Sequence, residues 1–436
     1  MKRYRKIAWF VVSLGLIFLH AEVSAAVPSG PSRVYVKGGQ LIVEKRRADG
    51  TLGGAKPYII HGVTWSPATS SPIDGPSPLD PSDTVPYGFF FNWPNRKPQG
   101  DVVFAYWLRN EHSRYYLTDI PLLSKMNVNT VRVYIDFGDD TRAYKKILDE
   151  FYRNGIMVIM MAVSSRGDID KKRYKMVVDA CKDHPAILMW SLGNEWNLDY
   201  NRYWGYKTVK AAAAATERVA KQIKNMDKFH PVASCLGDRF SDEDPDNTVE
   251  RAVRMCPNVD IWGLNIYRGN TFRDLFLQWQ KITDKPMYLS EFGIDSFETT
   301  SFARADGIKV NRCEGRQNQR AQAEYAASLW REIVDNLSAF DAEKQCVGGT
   351  IHSFSDCLWK AGSYHASLGG LINYDNHTDA VSYGTYNNEG FYLPGGAPDD
   401  IFNEEHFGLV DADRSPKEAF WTMKGLYEKV GGDRGR

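Results

Sequence analysis

The chain has 436 residues, with 54 Lys and Arg balancing 54 Asp and Glu, and 43% of it is hydrophobic. That length suffices for one large α/β barrel or two ordinary domains, and this much apolar material excludes disorder as the main state. A net charge of zero excludes a general attraction to nucleic acid or to an anionic membrane.

The chain opens with Lys2, Arg3, Arg5 and Lys6, an apolar run over 7–19, and the small residues Ser24, Ala25 and Ala26. A basic start, a short apolar stretch and a small-residue cleavage site predict a secretory signal over 1–26, with a mature protein over 27–436. The apolar run is short for a membrane span. No membrane association is expected after cleavage, and the mature protein is expected to be secreted or periplasmic.

Two short alternating segments, 34–37 and 40–44, flank Gly38 and Gly39 and predict a β-hairpin. Strands then follow at 58–65, 130–135, 156–163, 186–192, 231–236, 259–267, 286–291 and 348–354. Most are continuous apolar runs, the pattern of strands buried on both faces. Helical stripes lie between them: Tyr144, Ile147, Leu148 and Phe151; Val219, Ile223 and Met226; Leu329, Ile333 and Leu337. Eight strand–helix alternations predict a (β/α)8 TIM barrel, a single domain with a short N-terminal hairpin.

Three connections, 66–117, 295–319 and 355–400, are long and fall at the C-terminal ends of strands, the face on which barrels of this kind carry their sites. The first holds Phe89, Phe90, Phe91, Trp93, Tyr106 and Trp107. These fit a small satellite core and a wall for stacking a flat ligand such as a sugar ring equally well.

The cysteines, at 181, 235, 256, 313, 346 and 357, form no C-x-x-C pair, and no H-E-x-x-H is present. Neither a metal site nor a cofactor is expected. The chain also lacks a Walker A loop, a G-x-G-x-x-G and a G-x-S-x-G elbow. In a barrel the loops that carry Cys313 and Cys357 are neighbours, which makes these two the expected disulfide partners.

Two predicted strands end in carboxylates. Segment 184–195 reads HPAILMWSLGNE and ends at Glu195; segment 285–291 reads KPMYLSE and ends at Glu291. In a barrel both project into the mouth, from opposite sides. Two facing carboxyl groups are the minimal apparatus of glycoside hydrolysis.

Together with the strand DIWGLNIY at 260–267, the eighth-strand stretch 348–360 and the tail FGLVDADR at 407–414, these segments resemble the clan A retaining glycoside hydrolases. The likeness is to the catalytic barrel of family 2, the β-galactosidase, β-glucuronidase and β-mannosidase group. Segment 119–134 is similar both to family 2 and to the family 72 β-1,3-glucanosyltransferases. The resemblance implies Glu195 as acid/base and Glu291 as nucleophile. It implies that Asn194 bonds the sugar 2-hydroxyl, that Tyr267 orients Glu291, and that Arg132 keeps Glu291 ionised. It also implies Trp359 as the platform beneath the reactive sugar. The eighth strand departs from the family pattern, with His352 and Phe354 where an acidic or aromatic residue and a Trp are often seen.

Between the predicted cleavage site and the first barrel strand there is no room for the β-sandwich domains usual in family 2, which favours an open cleft and an oligo- or polysaccharide substrate. The expected activity is a retaining β-glycosidase. A transglycosylase with the same two glutamates is the alternative within the carbohydrate enzymes, and a non-catalytic carbohydrate-binding barrel is the alternative outside them.

Overall fold

In the computed structural model of the chain, the residues described are 26–67, 99–198, 204–240, 249–304, 311–357, 381–382, 385–386, 399 and 401–432. The expected signal segment lies almost wholly outside them, as do Phe89, Phe90, Phe91, Trp93 and Trp359. Among the described residues, no helix is long and apolar enough to cross a membrane.

Eight parallel strands close into a barrel: β1 (Ile60–Thr64), β2 (Thr130–Arg132), β3 (Met157–Val163), β4 (Ile187–Leu192), β5 (Val232–Gly237), β6 (Ile261–Asn265), β7 (Met287–Glu291) and β8 (Cys346–Ile351). Each pairs with its neighbours in sequence, and β8 returns to β1 in the register Gly348↔Ile60 to Ile351↔Val63. Every residue of these strands is buried, which explains their continuous apolar runs. All eight lie within or beside the predicted segments.

The helices are α1 (Gln99–Lys125), α2 (Thr141–Arg153), α3 (Arg166–Asp170), α4 (Arg173–Cys181), α5 (Val209–Met226), α6 (Val249–Met255), α7 (Leu275–Ile282), α8 (Gln319–Asp335) and α9 (Glu418–Gly432). The predicted stripe of α2 is the one that packs: Tyr144, Ile147, Leu148 and Phe151 are its buried residues. Thr208 caps α5 by accepting from the Ala211 N–H, and Asn318 caps α8 by accepting from the Ala321 N–H.

The N-terminal hairpin, Arg33–Lys37 with Gln40–Glu44, closes one end of the barrel. Its Val34, Leu41 and Val43 join Ile60, Ile159, Leu188, Ile261 and Val347 in one apolar cluster. Its backbone and side-chain bonds go to residues that precede barrel strands: Val34 N to Phe229 O at 2.8 Å, and Gln40 Nε2 to Ser338 O at 2.6 Å. With the N-terminal end plugged, the C-terminal end is the one that remains for a site.

Two connections differ from the reading as loops. The one after β7 carries an antiparallel pair, Phe297–Arg304 with Asn311–Gln317, and a third short strand, Val381–Ser382, adds to it. Its polar sequence has no apolar alternation; the strands are held by backbone pairing and by cross-strand contacts such as Arg316 with Glu298 at 3.1 Å. The first connection ends early because α1 already begins at Gln99 and runs through Pro121, a residue that ordinarily breaks a helix. Tyr106 and Trp107 lie on α1. Cys181, Cys235, Cys256 and Cys346 are buried free thiols. The side chain of Cys313 lies outside those described, and with it the expected Cys313–Cys357 bridge.

Candidate active site

Strand alternation sets the first part of the site. Arg132 and Tyr134 are two residues apart at the end of β2, and Asn265 and Tyr267 stand likewise at the end of β6, so each pair shares a face. Glu291 is the last residue of β7. Glu195 lies three residues beyond β4, on a tight turn whose shape the sequence supports. Gly193 has φ +71°, and a Cβ there would lie 2.2 Å from Trp204. Glu195 itself has φ +47°, an uncommon left-handed conformation for a non-glycine residue.

Neighbours hold that turn. Leu198 N donates to Glu195 O at 2.8 Å. Trp196 Nε1 donates to Ser234 Oγ at 2.9 Å. Asn197 exchanges two bonds with the backbone of Gly237, accepting from N at 2.8 Å and donating to O at 3.1 Å. The turn after β4 is thereby pinned to β5.

Three donors converge on Glu291. Arg132 Nη1 donates to Oε1 at 3.0 Å, Tyr134 Oη donates to the same oxygen at 2.7 Å, and Tyr267 Oη donates to Oε2 at 2.9 Å. Glu291 keeps 7% of its surface exposed, whereas Arg132 has none. Burial disfavours the Arg132 cation, but the polar groups around it, Glu291 among them, outweigh that and hold it charged. Burial and the charge of Glu291 push both tyrosine phenols well above the ordinary range, so both stay protonated and act as donors.

A relay of amides ties the second carboxylate to this cluster. Arg132 Nη2 donates to Asn194 Oδ1. Asn265 Nδ2 donates to Asn194 Oδ1 and to Glu195 Oε1, each at 3.1 Å. Ser290 Oγ donates to Asn265 Oδ1 at 2.6 Å, which fixes which end of that amide faces the others. With two donors already on its Oδ1, Asn194 has its Nδ2 as the group to offer a ligand.

Five of the six residues expected from the sequence thus stand in one hydrogen-bonded group: Arg132, Asn194, Glu195, Tyr267 and Glu291. Trp359 lies outside the described residues. The sequence reading missed Tyr134, Asn265 and His352 as members. The signal was there for two of them, since Tyr134 lies two residues after Arg132 and Asn265 two before Tyr267.

The model of the glycosyl hydrolases family 2 TIM barrel domain matches residues 112–378, the span that holds this whole group. The chain belongs to glycoside hydrolase family 2. A 1,3-beta-glucanosyltransferase, GAS2 of Saccharomyces cerevisiae, is 25% identical over 217 residues, covering 45% of this chain and 37% of that protein. Among solved structures, a family 2 β-galacturonidase from Eisenbergiella tayi is 15% identical with a TM-score of 0.48, covering 91% of this chain and 54% of that one. A β-glucuronidase from Bifidobacterium dentium is 16% identical with the same score, covering 91% and 49%. The chain therefore spans about half the length of these structures, and less of the yeast protein.

Proposed function

We propose that this chain is a secreted retaining β-glycosidase, a single barrel domain over 27–436 that acts on β-linked oligo- or polysaccharides by double displacement. The observation that carries the reading is the single hydrogen-bonded group that joins Glu195 and Glu291 at the open end of the barrel. Glu291, with three donors stabilising its charge and an exposed edge, is suited to attack an anomeric carbon. Glu195, beside the neutral amide of Asn265, is suited to give a proton to the leaving oxygen and then take one from water.

Asn194 would present its Nδ2 to the sugar 2-hydroxyl, a contact that strengthens as positive charge develops at the anomeric centre. Arg132 and Tyr267 would hold the nucleophile in place. Trp359 retains its proposed role as a platform on sequence grounds alone. In a retaining enzyme the two carboxyl groups stand about 5–5.5 Å apart, which leaves no space for a water beneath the sugar.

A second reading, transfer of the glycosyl group to another sugar, is favoured by the likeness to a 1,3-beta-glucanosyltransferase. It uses the same first step, and a sugar hydroxyl rather than water resolves the glycosyl-enzyme.

Incubation with a panel of defined β-linked oligosaccharides, β-1,3-glucans among them, tests both. An NMR time course in which the β-anomer forms first supports retention, and the α-anomer first overturns it. Products longer than the substrate at high acceptor concentration select transfer. Glu195→Ala is expected to lose about 10²–10⁴-fold on poor leaving groups and to regain deglycosylation with azide.

A further inference from the structure

Tyr134 lies between two partners that compete for its one proton. Its Oη is 2.7 Å from Glu291 Oε1 and 3.0 Å from His352 Nδ1. An ionised carboxylate can only accept, so the phenol proton belongs to Glu291, the shorter and charge-assisted contact. Only the lone pairs of Oη are then left for the imidazole. A bare Nδ1 would set two lone pairs against each other at 3.0 Å; a protonated Nδ1 makes a hydrogen bond there. Thr64 Oγ1, 2.9 Å from the same Nδ1, is satisfied either way because a hydroxyl donates or accepts. At Nδ1, Tyr134 is therefore the contact that calls for a donor.

The ring has little freedom to choose otherwise. His352 is 5% exposed, and its backbone N–H donates to Phe292 O at 2.9 Å. Its imidazole lies edge-on to Tyr134, with centroids 6.0 Å apart, and against Phe407 at 5.6 Å. Among the groups that face it are Thr64 from β1, Tyr134 from β2 and Phe407 from the tail. The charges of Arg132 and Glu291 reach it through Tyr134, whose ring centroid is 4.6 Å from the Arg132 guanidinium carbon.

We infer that His352 carries a proton on Nδ1 in the resting site and donates it to Tyr134, which makes His352 a positioning residue for Glu291. An imidazole N–H on its oxygen polarises the phenol and strengthens its bond to the carboxylate. Without that donor, the Tyr134 proton is no longer committed to Glu291. The kinetic consequence rests on the reading of Glu291 as nucleophile; the position of the proton does not.

The experiment has two arms for that reason. In the first, long-range ¹H–¹⁵N spectra of the histidine rings are recorded on the protein without substrate, with His352 assigned by its disappearance in His352→Asn. A protonated Nδ1, whether in the neutral ring or the imidazolium, is expected. A neutral ring with its proton on Nε2 and a bare Nδ1 overturns the inference even if the enzyme is fully active.

In the second arm, kcat/KM is measured on an aryl β-glycoside that the wild type turns over. His352→Leu is expected to lose about tenfold to a hundredfold and to move the acid limb of the pH profile upward, because a donor to ionised Glu291 is weakened. His352→Asn, whose amide N–H occupies the Nδ1 position, is expected to recover most of that loss. Adding His352→Leu to Tyr134→Phe should cost little more than Tyr134→Phe alone. A full additional loss in the double variant, or no recovery with Asn, overturns the positioning role. If no glycoside is turned over, the proposed function fails and the spectra still decide the tautomer.

Discussion

Arg132 and Arg414 both lie buried beside a carboxylate, one in the mouth of the barrel and the other where the C-terminal tail meets α1. Arg132 Nη1 stands 3.0 Å from Glu291, and Arg414 Nε stands 3.0 Å from Asp119. The two carboxylates differ in what surrounds the pair. Glu291 receives three donors from the ends of two strands, β2 and β6, and keeps 7% of its surface exposed. Asp119 has no exposed surface; it accepts from Trp65 Nε1 at 2.9 Å, and burial pushes its carboxyl up despite Arg414. One pair leaves a carboxylate available for chemistry, whereas the other is a clasp between helix and tail. An arginine–carboxylate contact alone does not reveal which it is; the number of donors and the open edge do.

Substitutions that separate chemistry from stability test this contrast. The largest effect is expected at Glu291. Glu291→Ala should lower kcat/KM by roughly 10⁴-fold or more, because on the proposed mechanism Glu291 forms the glycosyl-enzyme, while the protein remains folded by circular dichroism. Residual turnover close to wild type would remove Glu291 from the mechanism. Arg132→Met should cost about 10²–10³-fold on the same substrate, through loss of the charge beside Glu291 and of the bond that aims Asn194.

Arg414→Met should act the other way round. It is expected to lower stability by about 3 kcal/mol, measured by urea unfolding, with kcat of the folded fraction unchanged. The loss should be larger at pH 8 than at pH 5: without Arg414 the buried Asp119 binds its proton more tightly still, so stability is lost as pH rises. A drop in kcat without a drop in stability would place Arg414 with Arg132.

The smallest effect sharpens the second region. Glu111, on α1 and 4% exposed, has its carboxyl pushed up from 4.5 to about 7 by burial, with Arg114 and Arg414 offsetting part of it. Its folded-state contribution is fully present below about pH 4.5 and lost as pH rises through 7. Glu111→Gln should therefore raise stability by about 2 kcal/mol at pH 8, and the gain should vanish near pH 4. Thermal melts across that range that ran parallel for both proteins would refute the assignment.

By itself, the sequence marked out the eight strands, because a strand buried on both faces reads as a short, mostly apolar run, as at 157–163 and 187–192. It also put Glu195, Glu291 and Arg132 at one end of the barrel, since each stands at or just beyond a strand end and strand ends fix the face of a barrel. The polar arm after β7 was not legible, because its strands pair through backbone bonds and polar contacts such as Arg316 with Glu298 rather than through an apolar alternation. Only the tertiary structure decided which side chains complete the group. Tyr134 meets Glu291 across 157 residues of chain and His352 across 218. Such contacts depend on closure of the barrel, which sets β2, β7 and β8 around one opening, and no local pattern encodes the direction in which a phenol gives its proton.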